Sequence, residues 1–141
     1  MSKLFGALNH IAVYVRNRQE AVDFYTDVLG GRLLYTVDNE SDGLLIAMIQ
    51  MDGFCIEALE PPEGKDTIEG AALATANHFA IEVDDIEAAI AHIEKKGYSI
   101  EKPGIYDVPN FGREGNNLKV AFTHGPNGER IELFQTGKEG R

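Results

Sequence analysis

The chain is poor in the features that most often betray an unusual environment. Of its 141 residues only one, Cys55, is a cysteine. No intrachain disulfide is possible, and a reducing compartment fits. Basic residues are outnumbered, 13 Lys and Arg against 23 Asp and Glu, for a formal net charge of -10. Such a surface repels nucleic acid and anionic membranes, so neither is expected as a partner. No stretch approaches the roughly 18 apolar residues of a membrane span. The first residues, Met1 to Gly6, hold no apolar run of signal-peptide length, and a cytoplasmic protein is expected. What is present, 43% hydrophobic and 26% charged residues, describes a globular chain of ordinary single-domain length.

The chain repeats itself. Asn9-His10-Ile11-Ala12-Val13-Tyr14-Val15 returns as Asn77-His78-Phe79-Ala80-Ile81-Glu82-Val83, displaced by 68 residues. Gly53-Phe54-Cys55-Ile56-Glu57 returns as Gly128-Glu129-Arg130-Ile131-Glu132, displaced by 75. The second half therefore carries about seven extra residues, for which the Gly- and Asn-rich run Gly104 to Asn117 is the natural place.

Each first motif is followed by an apolar stripe at helical spacing that ends in glycine. Arg18 to Leu29 precedes Gly30, and Ile86 to Lys96 precedes Gly97. Asn17 with Glu20, and Asp84 with Glu87, supply capping boxes. Strand-like stretches follow: Arg32 to Val37, Leu44 to Met51 and Phe54 to Leu59, then Tyr98 to Glu101, Leu118 to Thr123 and Arg130 to Phe134. Each half reads β-α-β-β-β, module one at about 8–60 and module two at about 77–135 of a single domain 1–141. The expected class is α+β: two paired modules forming one curved mixed sheet, with helices outside and a site on the inner face.

Alternation along the strands assigns the faces. Ile11, Val13 and Val15 belong under the first helix, so His10 points the other way; Phe79, Ile81 and Val83 place His78 likewise. Ile56 opposes Glu57, and Ile131 and Leu133 oppose Glu132, so both glutamates also leave the helix side. A lone strand His is ordinarily a packed or solvated residue, and a lone Glu the wet side of an amphipathic pattern. The same types at the same repeat positions, twice over, point instead to one divalent metal held by His10, Glu57, His78 and Glu132. Imidazole with carboxylate suits Ni, Co, Zn, Fe or Mn.

These residues resemble the vicinal oxygen chelate superfamily, and the resemblance spans roughly Leu8 to Gln135. Leu8-Asn9-His10-Ile11-Ala12-Val13, Phe24-Tyr25, Val28-Leu29-Gly30, Pro126-Asn127-Gly128 and Ile131-Glu132-Leu133 are similar to short bacterial glyoxalase I, the lactoylglutathione lyases. That resemblance implies a metal role for the same four residues, with Ni or Co ahead of Zn. It implies catalysis by Glu132 and Glu57, which would move a proton beside a metal-bound carbonyl. It further implies a homodimer acting on a small thiol or acyl conjugate.

Two positions depart from the family's glutathione-holding pattern: Tyr14 stands for the usual Arg and Pro61 for the usual Asn. Weak turnover with glutathione is expected. Cys55-Ile56-Glu57-Ala58-Leu59-Glu60-Pro61 is closer to the methylmalonyl-CoA epimerase branch, the alternative function. That branch's paired His is replaced by Asn77-His78, and its His-Pro-Lys turn by His124-Gly125-Pro126-Asn127-Gly128. A metal-free metabolite- or drug-binding protein of the same fold is the non-enzymatic alternative. His92 is expected in solvent, and His124 and Cys55 outside the chemistry. Arg113 and Lys119 are expected on the surface, with an anionic substrate group as their functional role.

Overall fold

A computed structural model describes residue 4 and residues 8–68, 78–111 and 114–137. The chain forms two compact units, Met1–Ile68 and Glu69–Arg141. Each is a β-α-β-β-β module with a four-stranded mixed sheet, so the α+β class and the repeated module are as the sequence implies.

Module one runs β1 His10–Tyr14, α1 Arg18–Asp23, β2 Arg32–Asp38, β3 Leu45–Gln50 and β4 Cys55–Glu60. Its sheet order is β1-β4-β3-β2, with β1 and β4 parallel and the remaining pairs antiparallel. Asn17 caps α1, its side chain accepting from the Glu20 N–H at 2.8 Å. The expected single helix to Leu29 is instead α-helical only to Asp23 and continues as a π-helical turn, Phe24–Val28. There the Leu29 N–H reaches back to the Phe24 carbonyl, and the Thr26 hydroxyl donates to the Val22 carbonyl at 2.7 Å. The turn buries Phe24 and Tyr25, both at most 1% exposed, in the core of the module. Burying each contributes about 1.5–3 kcal/mol. Gly31 admits no side chain: a Cβ there would lie 2.8 Å from the Tyr25 carbonyl oxygen.

Module two runs β5 Phe79–Glu82, α2 Ile86–Lys95, β6 Tyr106–Val108, β7 Leu118–His124 and β8 Arg130–Thr136, in the order β5-β8-β7-β6. Two expectations need correction. The cap of α2 is Asp85, not Asp84: the Asp85 carboxylate accepts from the Ala88 N–H at 3.1 Å. Tyr98 to Glu101 is not a strand. It touches β7 through one bridge, Ile100 to Thr123, and the Glu101 N–H bond to the Phe122 carbonyl. The ladder cannot run on because Pro103 has no N–H and Gly104 turns the chain at φ 107°. The module's second strand forms later, at Tyr106–Val108, inside the stretch expected to be loop.

In both modules the helix covers one sheet face only. Ile56 and Ala58 lie beneath α1 and Ile131 and Leu133 beneath α2, all buried. Among the described residues no helix is long and apolar enough to cross a membrane.

Candidate metal centre

On the opposite face of each sheet a histidine and a glutamate converge. In module one, Ala12 of β1 stands beside Glu57 of β4. His10 is two residues earlier on β1 and shares the face, and its Nε2 lies 3.7 Å from Glu57 Oε1. In module two, Ala80 of β5 stands beside Glu132 of β8, and His78 is again two residues earlier. Its Nε2 lies 3.2 Å from Glu132 Oε1. Two parallel strand pairs in the same register thus produce the same diagonal pair.

The side chains are half-buried. His10 and His78 keep 39% and 34% of their surface exposed, against 23% and 14% for Glu57 and Glu132. Asn9 Oδ1 lies 2.7 Å from His10 Nδ1. A proton on Nδ1 donated to that oxygen would leave Nε2 to hold a metal.

The donor set fits a divalent ion. Atoms bound to one metal at about 2.0–2.2 Å stand about 3.0–3.5 Å from each other. His78 and Glu132 already have that spacing, and His10 and Glu57 are a few tenths of an ångström wider. Among the described residues of either module no third His, Cys, Asp or Glu joins its pair. Each module therefore brings together two candidate ligands.

The neighbours differ between modules. In module two, Phe122 of β7 stands beside Glu132, and His124 beside Arg130. The Arg130 guanidinium lies 3.8 Å over the Phe122 ring and donates to both oxygens of Glu101, at 2.8 and 2.9 Å. His124 Nε2 also meets Glu101, at 2.5 Å. Arg130, opposed by burial but helped by His124, holds the Glu101 carboxyl down at about 2. In module one the corresponding positions hold Met48, Cys55 and Gln50.

His124, expected outside the site, therefore shares the Glu132 face. Lys119 pairs with Gln135 on the helix side of the sheet and lies 3.6 Å from Asp107. Cys55 shares the Glu57 face and contacts Gln50 Oε1 at 3.5 Å. His92 is on the exposed side of α2. Arg113 and Asn77 lie outside the described residues. Sequence reasoning missed Glu101 and the role of Arg130. Strand alternation had set Arg130 beside Glu132, but its partner comes from a segment with no pattern of its own.

Residues 7–133 match the model of the Glyoxalase/Bleomycin resistance protein/Dioxygenase superfamily. The chain is 33% identical over 134 residues to the mitochondrial methylmalonyl-CoA epimerase of Mus musculus, covering 92% of this chain and 73% of that one. It is 28% identical over 135 residues to the lactoylglutathione lyase of Escherichia coli O157:H7, covering 95% and 96%. A glyoxalase family protein from Enterococcus faecalis has the same fold, with a TM-score of 0.72 at 21% identity over 94% of this chain and 99% of that one. The chain belongs to the Glyoxalase/Bleomycin resistance protein/Dioxygenase superfamily.

Proposed function

We propose that the protein is a metal-dependent enzyme that moves a proton at a carbon next to a carbonyl. We assign His10, Glu57, His78 and Glu132 as the ligands of one divalent ion, Ni or Co ahead of Zn, with residues 1–141 acting as one domain. The observation that carries the proposal is the repeated diagonal pair: one imidazole Nε2 and one carboxylate oxygen converging in each module, 3.7 and 3.2 Å apart. Two neutral imidazoles and two carboxylates balance the charge of a divalent ion. When bound, such an ion polarises the substrate carbonyl as a Lewis acid.

The chain's own residues do the rest. Glu132 takes the proton from the carbon, and Glu57, its counterpart in the other module, returns or exchanges one. Ala12 and Ala80 are the cross-strand neighbours of Glu57 and Glu132, and Phe122 stands on the other side of Glu132.

The first choice of reaction is a glyoxalase I-like isomerisation of a hemithioacetal. The lactoylglutathione lyase relative supports it, since the alignment takes in nearly the whole of both chains. Tyr14 and Pro61 stand where that branch holds glutathione, so a different thiol is expected as the carrier. The second reading is epimerisation of an acyl thioester. The mouse epimerase relative, at 33% identity, favours it. We also propose a homodimer in a cytoplasmic setting, with sedimentation velocity as its check.

The deciding experiment follows solvent deuterium. Protein reloaded with Ni or Co is incubated in D2O with a hemithioacetal of methylglyoxal and, separately, with a branched acyl-CoA. Metal-dependent deuterium incorporation at the reacting carbon supports proton transfer, and the substrate that exchanges selects the reaction. No exchange with either, in protein that holds one metal per site, overturns the proton-transfer assignment.

A further inference from the structure

We propose that Phe122, Arg130 and Glu101 form a clamp that sets the ring plane of His78, a device that module one lacks. The inference deepens the metal assignment above and rests on it.

His78 directly precedes β5, whose ladder begins with Phe79 beside Ile131. The Phe122 ring meets the imidazole edge-on, with centroids 5.6 Å apart and planes at 88°. That is the favoured geometry for two aromatic rings. Phe122 is fixed in turn. The Arg130 guanidinium stacks over it at 3.8 Å, a cation–π contact. Two parallel N–H donations into Glu101 set the guanidinium plane. A forked pair of this kind specifies orientation as well as distance. The Glu101 backbone N–H donates to the Phe122 carbonyl at 2.8 Å, so the anchor is strapped to the residue that carries the ring. The order is carboxylate, guanidinium, phenyl, imidazole.

Module one shows that the fold does not need this. Met48, Cys55 and Gln50 occupy the positions of Phe122, Arg130 and His124. None of the three is an aromatic ring or a guanidinium, yet the module keeps the same strand order. The clamp is an addition to the repeated framework, and it coincides with the shorter His–Glu spacing, 3.2 against 3.7 Å. Phe122, Arg130 and Glu101 are thereby positioning residues for a ligand, acting through packing rather than by touching substrate.

The test uses the full chain without metal first. The histidine ring signals are recorded by 1H–15N correlation, with His78→Ala and His10→Ala identifying two of them. Phe122→Leu and Arg130→Met should shift and broaden the His78 ring signals and leave those of His10 in place. Arg130→Lys keeps the charge but not the fork, and should resemble Arg130→Met more than the parent. In a second arm, Co(II) titration should show affinity lowered about 10- to 100-fold in the same variants, the usual cost of losing support behind a metal ligand. Unchanged His78 signals in folded Phe122→Leu and Arg130→Met protein would overturn the clamp, as would equal shifts at His10. Glu101→Gln alters no volume and supplies the same decision should the larger changes unfold the module. If the parent itself takes up no Co(II), the metal assignment fails, while the metal-free ring signals still judge the clamp.

Discussion

Glu60 and Gln135 perform the same task in the two modules: each side-chain oxygen accepts the first backbone N–H of its helix, from Arg18 and Ile86 respectively, both at 2.6 Å. The two residues are 75 apart, the spacing that also separates Glu57 from Glu132. Each closing strand therefore carries the metal-ligand candidate on one face and, three residues later, the helix fastener on the other. The fastener fixes the helix against the sheet whose far face presents the His–Glu pair.

Glu60 is only 7% exposed. Burial alone would raise its pKa. The Lys65 ammonium at 2.6 Å and the Arg18 N–H outweigh that and hold it below the usual carboxylate range. Glu60→Ala should cost about 2 kcal/mol, because it removes the acceptor of the part-buried Arg18 N–H and the anion beside Lys65. Gln135→Ala, with one neutral bond at stake, should cost about 1 kcal/mol. A carboxyl depressed on folding stabilises above its unfolded pKa, and that contribution is lost as pH falls through the folded value. The stability gap between the parent and Glu60→Gln should therefore narrow on acidification from pH 7. Urea unfolding of both proteins across that range checks it.

Glu101 contributes a second acid-side effect. Its folded value of about 2 lies below the ordinary carboxylate value of 4.5. The stabilisation is present above the upper figure and disappears as pH falls toward the lower one. With 27% of the side chain still exposed, solvent screening limits it to about 1–2 kcal/mol. In Glu101→Gln the melting temperature should be lower at pH 7 and approach the parent's as pH falls toward 2, as followed by circular dichroism. A constant offset at every pH would contradict the charge-based account.

The readable part of this molecule was the part repeated along one strand at a time. His10, Glu57, His78 and Glu132 fall on the face opposite the helix because strand alternation and apolar neighbours decide it locally. Asn17 was legible as a cap for the same reason. Asp84 and Asp85 are adjacent acids that both satisfy the capping rule, so pattern alone could not choose between them. Tyr98 to Glu101 looks like a strand, but the Pro103-Gly104 pair behind it moves the ladder on to Tyr106. The π turn at Phe24 depends on the Thr26 hydroxyl competing for a carbonyl, which spacing does not encode. The Glu101–Arg130–Phe122 group joins a loop to two strands, and tertiary contacts of that kind leave no period in the sequence.

Metal removal should change stability as well as activity. A ligand that binds only the folded chain stabilises by about 4 kcal/mol at 1,000 times its dissociation constant. Chelator treatment followed by dialysis should lower the melting temperature, and Ni or Co should restore it in the parent but not in His78→Ala. Calorimetry with and without each ion measures this. Restoration of the same size in His78→Ala would remove that residue from the ligand set.

The sharpest separation of ligand from base comes from the two glutamates. Glu132→Gln keeps an oxygen that can coordinate but cannot accept a proton at neutral pH. Metal content measured by elemental analysis should therefore fall less than turnover, which should drop by about 10²- to 10⁴-fold, the usual cost of losing a general base. Glu57→Gln then distinguishes the two reactions. An epimerase must serve both faces of one carbon, so losses at Glu57 and Glu132 should be comparable. A one-base isomerase moves a proton between neighbouring carbons, so the losses should be unequal and Glu132 the more costly. Deuterium exchange on each variant reports which step is lost. The modules already differ here, since Glu132 is less exposed than Glu57, 14% against 23%, and sits beside Phe122 rather than Met48. We assign Glu132, the more enclosed of the two, as the dominant base. Full activity of metal-loaded Glu132→Gln would refute that role.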